Sequence, residues 1–136
     1  MKRIILVTGG AGFMGSHVTE VLINEGHQVR VIDDLSGGFE ENIPTGANFV
    51  KGSILDENLL EGLFKDCQFE YVFHLAAYAA EGLSYFIKKF NYMNNLIGSV
   101  NLINNSIHQG VKCFVFTSSI AVYGKNKLPM CESMHP

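Results

Sequence analysis

Residues 4–15 read Ile4-Ile5-Leu6-Val7-Thr8-Gly9-Gly10-Ala11-Gly12-Phe13-Met14-Gly15, an apolar run that enters glycines at 9, 12 and 15. A run of that kind is a buried strand, and the glycines after it form a tight turn into a helix. A phosphate brought to such a turn needs backbone N–H groups and a helix N-terminus at close range, and side chains there would hold it away. Glycine removes the bulk and supplies positive φ where the turn needs it.

The surrounding residues complete a βαβ unit. The helix carries apolar residues at Met14, Val18, Val21 and Leu22 and stops at Gly26, a left-handed cap. A second strand, residues 28–33, ends in Asp33, where a carboxylate can accept hydrogen bonds from both ribose hydroxyls of an adenosine. Strand, glycine turn, helix, strand and acid together predict a dinucleotide site.

At 136 residues the chain is read as one domain, 1–136, with about two-thirds of its unfolded surface buried. The net charge of −3 comes from interspersed acids and bases, which leaves neither a basic stripe for nucleic acid nor a polybasic patch for a membrane. No apolar run approaches the ~20 residues of a membrane span, and the expected location is cytoplasmic. Cys67, Cys113 and Cys131 form no C-x-x-C pair and read as reduced thiols. The five histidines show no ligand spacing, so no metal is expected.

Further along, residues 34–47 form a polar loop, and a short strand at 48–51 leads through Gly52-Ser53-Ile54 to a helix near 56–65. A fourth strand spans 70–75, and an Ala/Gly-rich loop covers 76–84. A long helix is expected over 84–108, with Phe86, Phe90, Met93, Ile97 and Val100 at helical spacing and Gly110 as its stop. The fifth strand, 111–117, is nearly all apolar, as suits a parallel sheet covered on both faces. The alternation predicts an α/β fold, a Rossmann-type doubly wound parallel sheet of about five strands. Residues 120–136 lose periodicity, with no helix over the fifth strand, and the chain is expected to be truncated at its C-terminus.

These residues resemble the extended short-chain dehydrogenase/reductases, within them the NAD-dependent sugar-nucleotide epimerase/dehydratase family. The motifs are Thr8 to Gly15, Asp33-Asp34-Leu35, Gly52-Ser53-Ile54, His74-Leu75-Ala76-Ala77, Asn95-Leu96-Ile97-Gly98-Ser99 and Thr117 to Gly124. The resemblance implies that Gly9, Gly12, Phe13, Met14 and Gly15 meet a pyrophosphate. It puts Asp33, Asp34, Leu35, Ser36, Gly37 and Gly38 around the adenosine ribose. Ser53 and Ile54 fall at the adenine, although the family usually has Asp where this chain has Ser53. Leu75, Ala76, Ala77 and Tyr78 fall on the loop toward the nicotinamide half, Asn95 supports the cofactor from the long helix, and Thr117 and Ser118 complete the site. An acid at the end of the second strand, with no arginine after it, favours NAD over NADP. His74 reads as a hydrogen-bonded structural histidine rather than a base.

By the same resemblance, Ser119 is the catalytic-type residue, its hydroxyl on the sugar hydroxyl being oxidised beside a tyrosine that takes the proton. That tyrosine belongs to a Tyr-x-x-x-Lys pair on one helix face, where the ammonium lowers the phenol pKa. Tyr85 with Lys89 and Tyr123 with Lys127 match the string but read as decoys, and the family's pair would lie beyond Pro136. The favoured reading is the NAD-binding domain of a nucleoside-diphosphate-sugar 4-epimerase of the UDP-glucose/UDP-galactose type, catalytically incomplete alone. A dehydratase or reductase of the same family is the nearest rival, although the residues Ser119-Ile120-Ala121 favour the epimerase. A non-catalytic dinucleotide-binding or interaction module is the alternative from another class. A homodimer through helix 84–108 is expected, from the family's helical interface and a second apolar face of Tyr85, Tyr92, Leu96, Ile103 and Ile107.

Overall fold

The computed structural model describes residues 2–79, 81–125 and 128–134. Five strands, β1 (Ile4–Thr8), β2 (Gln28–Asp33), β3 (Asn48–Lys51), β4 (Tyr71–His74) and β5 (Cys113–Phe116), form one parallel sheet in the order β3-β2-β1-β4-β5. Helix α1 (Phe13–Asn24) covers one face, where Val7, Val29 and Val31 pack against Val18, Leu22 and Ile23. Helix α2 (Glu57–Asp66) lies over the other, where Leu60, Leu63, Phe64 and Phe69 meet Leu6, Ile32 and Val72. Neighbouring residues of β1, Leu6 and Val7, thus enter different cores, because strand side chains alternate between faces. The doubly wound α/β arrangement expected from the alternation of elements is present.

Local signals explain where the elements begin and stop. Asp56 caps α2 by accepting from the Leu59 amide at 3.0 Å. Gly26 and Gly110 follow α1 and the last helix with φ of 83° and 69°.

The long helix differs from its expected form in two ways. It begins at Lys88 rather than near residue 84, as α3 (Lys88–Asn91), a π-helical segment (Tyr92–Ile97) and α4 (Gly98–His108). Its buried face is also not the large-apolar one. Gly98, Ser99, Leu102 and Ser106 face inward, whereas Phe86 is 86% exposed and Phe90, Met93, Ile97 and Val100 are also exposed. Small residues let the helix lie close against Ile54 and α2, and the large side chains are left pointing away. In α1, similarly, Met14 and Val21 are exposed while Gly15 and Thr19 are buried.

Strand β5, apolar as a strand of a covered parallel sheet would be yet followed by no helix in the sequence, lies at the sheet edge with Cys113, Val115 and Phe116 exposed, and Ile120, Ala121 and Val122 of the turn that follows are exposed as well. Among the described residues no helix packs over it, and none is long and apolar enough to cross a membrane.

Candidate functional site

The carboxyl ends of the parallel strands converge on a groove around the start of α1. Its lining includes Gly9 and Gly12 from the glycine turn, Asp33 to Gly38 less Leu35, Gly52 to Ile54 after β3, and Leu75 to Tyr78 after β4. The strand order dictates the layout: the turn follows the central strand, Asp33 ends the strand on one side of it, and the Leu75 loop begins on the other. Open α/β sheets bind their ligands at this edge.

Two glycines shape the turn. Gly9 has φ of 71°, and a Cβ there would lie 2.8 Å from the Ala76 backbone nitrogen. A Cβ on Gly15 would collide with the Gly9 carbonyl oxygen. The turn can therefore pack against the Ala76 backbone and under α1 only because both side chains are absent, and the α1 N-terminus beyond it has no side-chain cap and no acid in its first turn. Its first amides lack intrahelical partners and suit an anion of the size of a phosphate. Phe13 and Met14 are exposed at this helix start and Gly15 is buried beneath it.

Asp33 has a second part beside any role toward a ribose. Its Oδ2 accepts from the Ala11 amide at 3.0 Å and its Oδ1 from the Leu35 amide at 2.8 Å, so the carboxylate ties the glycine turn to the loop after β2. Leu35 has φ of 62°, a conformation unfavourable for a bulky side chain, and the Asp33 hydrogen bond helps hold it. Asp34 repeats the pattern one residue on, accepting from the Ser36 amide at 2.9 Å. Gly38 packs on Ala11 so closely that a Cβ would fall 2.6 Å from its carbonyl carbon. Ser53 Oγ accepts from the Leu55 amide at 3.2 Å and keeps its proton free to donate toward the groove.

On the β4 side a buried hydrogen-bond chain stands behind the groove. Ala76 N–H donates to Thr8 Oγ1 at 3.2 Å, Thr8 Oγ1 lies 2.8 Å from His74 Nδ1, and His74 Nε2 lies 2.7 Å from Ser99 Oγ. Ser99 in turn donates to the Asn95 carbonyl at 2.8 Å. A carbonyl can only accept, so Ser99 spends its proton there and takes one from Nε2. This assigns a neutral imidazole with the proton on Nε2 and a Thr8 hydroxyl that donates to Nδ1. Burial holds His74 down to about 4, in agreement with the structural role read from its position.

Asn95 lies in the π-helical segment and does not line the groove. Its Oδ1 accepts from the Tyr78 amide at 2.7 Å and its Nδ2 donates to the Tyr78 carbonyl at 3.0 Å, clamping the loop that does. Thr117, Ser118 and Ser119 are exposed past the end of β5, outside the groove. Ser119 Oγ accepts from the Ala121 amide at 3.2 Å, and the Thr117 amide donates to the His74 carbonyl at 3.3 Å, next to the loop. Of the two Tyr-x-x-x-Lys strings read as decoys, the first does not lie on one helix, since Tyr85 is 79% exposed and precedes the helix that begins at Lys88, and Lys127 of the second lies outside the described residues.

Sequence reasoning missed Thr8, Ser99, Gly52, Phe90 and Asn94. Thr8 and Ser99 reach each other only through His74, and Phe90 carries no sign in the sequence beyond its helical spacing. Asn94 sits among many asparagines and carried no signal of its own. Among the described residues no three His, Cys, Asp or Glu side chains are grouped to hold a metal ion.

Comparison with known proteins gives a consistent picture. The NAD dependent epimerase/dehydratase family matches residues 5–135. A UDP-glucose 4-epimerase of Haemophilus influenzae is 40% identical over 136 residues, 94% of this chain and 40% of that protein. The crystal structure of a UDP-glucose 4-epimerase from Thermotoga maritima with UDP-glucose is 46% identical, with a TM-score of 0.88 over 91% of this chain and 40% of its own. That of Thermus thermophilus UDP-glucose 4-epimerase with NAD is 35% identical, with a TM-score of 0.91 over 98% and 44%. The chain thus spans about 40% of the length of such relatives, matching their N-terminal, NAD-binding portion. A match from the first strand to the last turn, on a chain whose glycine turn, Asp33 and β4 loop meet in one groove, has one meaning: the chain belongs to the NAD dependent epimerase/dehydratase family.

Proposed function

We propose that residues 1–136 form the NAD-binding domain of a nucleoside-diphosphate-sugar 4-epimerase acting on a UDP-hexose. The observation that carries the reading is the turn at Gly9, Gly12 and Gly15, where a Cβ at 9 would collide with the Ala76 backbone and one at 15 with the Gly9 carbonyl, so that only glycine folds the turn tightly enough to bring the uncapped α1 N-terminus to the groove. The residues fit the cofactor. The α1 N-terminus would take the pyrophosphate, Asp33 the adenosine ribose, and Ser53 and Ile54 the base, with Leu75 to Tyr78 along the nicotinamide half. When bound, NAD supplies a hydride acceptor that is regenerated in each epimerisation. Asp33 repels a 2′-phosphate, which supports NAD over NADP.

In this reading Ser119, past the end of the strand next to the β4 loop, orients the sugar hydroxyl by hydrogen bonding. In the same reading the proton acceptor is a tyrosine other than Tyr85, which precedes the helix that begins at Lys88 and shares no helical face with Lys89. The exposed apolar residues of the long helix, Tyr92, Leu96, Ile103 and Ile107, support a homodimer. The charge balance and the absence of a membrane-length helix among the described residues are compatible with a cytoplasmic enzyme.

The test is a UDP-galactose conversion assay on the purified chain after addition of NAD. NAD binding without turnover is expected, and turnover would overturn the claim that the proton acceptor lies elsewhere. Absence of NAD binding would overturn the reading as a whole.

A further inference from the structure

We propose that His74, held between Thr8 and Ser99, is a positioning residue that fixes the Leu75–Tyr78 loop for the second mononucleotide of the dinucleotide. The inference rests on the NAD reading above and goes beyond it by assigning a task to a buried group that touches no ligand.

The argument starts from the sheet. With a pyrophosphate on the turn after β1, one nucleoside lies toward β2 and Asp33, and the other lies toward β4 and the loop that follows it. That loop has three tethers. The Leu75 amide donates to the Thr8 carbonyl at 3.2 Å, the Ala76 amide to the Thr8 hydroxyl at 3.2 Å, and the Tyr78 backbone is gripped twice by Asn95.

His74 organises two of them. Its Nδ1 fixes the Thr8 hydroxyl with the oxygen lone pair turned to Ala76, and its Nε2 fixes Ser99, whose proton goes to the carbonyl of Asn95 itself. One imidazole therefore links β1, the β4 loop and the π-helical segment that carries Asn95. An apolar residue would have packed this 2%-exposed position at lower desolvation cost, but it could not have oriented two hydroxyls. The tolerance is small as well, because the Ala76 backbone already stands where a Gly9 Cβ would be. A shift of Ala76 inward closes the turn, and a shift outward opens the groove on the nicotinamide side alone.

A role confined to holding the fold would weaken every ligand equally, whereas loop positioning would spare a ligand that covers only the adenosine side. Titration of NAD and of ADP against the chain separates the two, using Thr8→Val and Ser99→Ala, with Thr8→Ser as the conservative control and thermal melts to check folding. In both disruptive variants, NAD binding is expected to weaken about tenfold while ADP binding changes less than about twofold, and Thr8→Ser restores NAD binding. Equal weakening of both ligands, or no change in either, would overturn the proposal. A wild-type chain that binds ADP but gains nothing from the second mononucleotide would overturn it too, whereas binding of neither ligand would remove the NAD reading beneath it. Should Thr8→Val not fold, Ser99→Ala decides alone, since it leaves the Thr8 hydroxyl in place.

Discussion

Gly9 and Ala76 meet backbone to backbone: a Cβ on Gly9 would sit 2.8 Å from both the nitrogen and the Cα of Ala76. The turn after β1 and the loop after β4 therefore share one wall, and Gly9 also needs its φ of 71°. Gly9→Ala is expected to destabilise the chain by about 2 kcal/mol, from left-handed strain plus the clash. It should also weaken NAD binding more than about tenfold. Urea unfolding and NAD titration check the two effects, and an unchanged unfolding midpoint would show that the turn yields freely.

Asp33 carries two loads that one variant separates. Asp33→Ala leaves the Ala11 and Leu35 amides without their acceptor and should cost about 1–3 kcal/mol in urea unfolding. It should also reduce NAD affinity more than NADP affinity, because a ribose partner and a repulsive charge disappear together. An equal loss for both dinucleotides would leave Asp33 as a loop bracket with no role at the ribose.

His74 makes a prediction about acid. Burial holds it down to about 4, from an ordinary 6.5, so between these values the unfolded chain binds a proton that the folded chain does not. Its effect on stability is therefore nil above about pH 6.5 and grows as pH falls, reaching about 3 kcal/mol of lost stability near pH 4. Urea unfolding of wild type and His74→Gln at about pH 7 and about pH 4.5 measures this linkage. The wild type should lose more stability between the two conditions, and parallel losses would mean that the imidazole is not kept neutral by the fold.

The long helix presents Leu96 and Ile103 to solvent at 52% and 39% exposure. If this face joins two copies, Leu96→Arg with Ile103→Arg should convert a dimer to a monomer in sedimentation and remove the dependence of the melting temperature on protein concentration. A wild-type chain that sediments as a monomer would contradict the assembly.

The parts of the fold that were legible in the sequence were those fixed by local chemistry. The glycine turn needs glycine because backbone approaches backbone, and the strand-to-acid pattern ending in Asp33 follows from a period that residue types report directly. The long helix was misread because hydrophobic spacing locates an apolar stripe without saying whether the sheet or another surface covers it. Here Gly98 and Ser99 face inward because they are small enough to let the helix approach Ile54, a packing fact invisible to hydropathy. The π-helical turn at Asn95 was hidden for a related reason: its partner is Tyr78, 17 positions away in the chain, and no local pattern reports that contact. Ser119 was legible as a motif, while its place relative to a substrate depends on groups outside the groove.

Isothermal titration of the purified chain with NAD, alongside NADP, tests the central claim most directly. Saturable one-to-one NAD binding, with NADP weaker by at least about tenfold, is the predicted result. No NAD binding, or equal binding of the two dinucleotides, would contradict it.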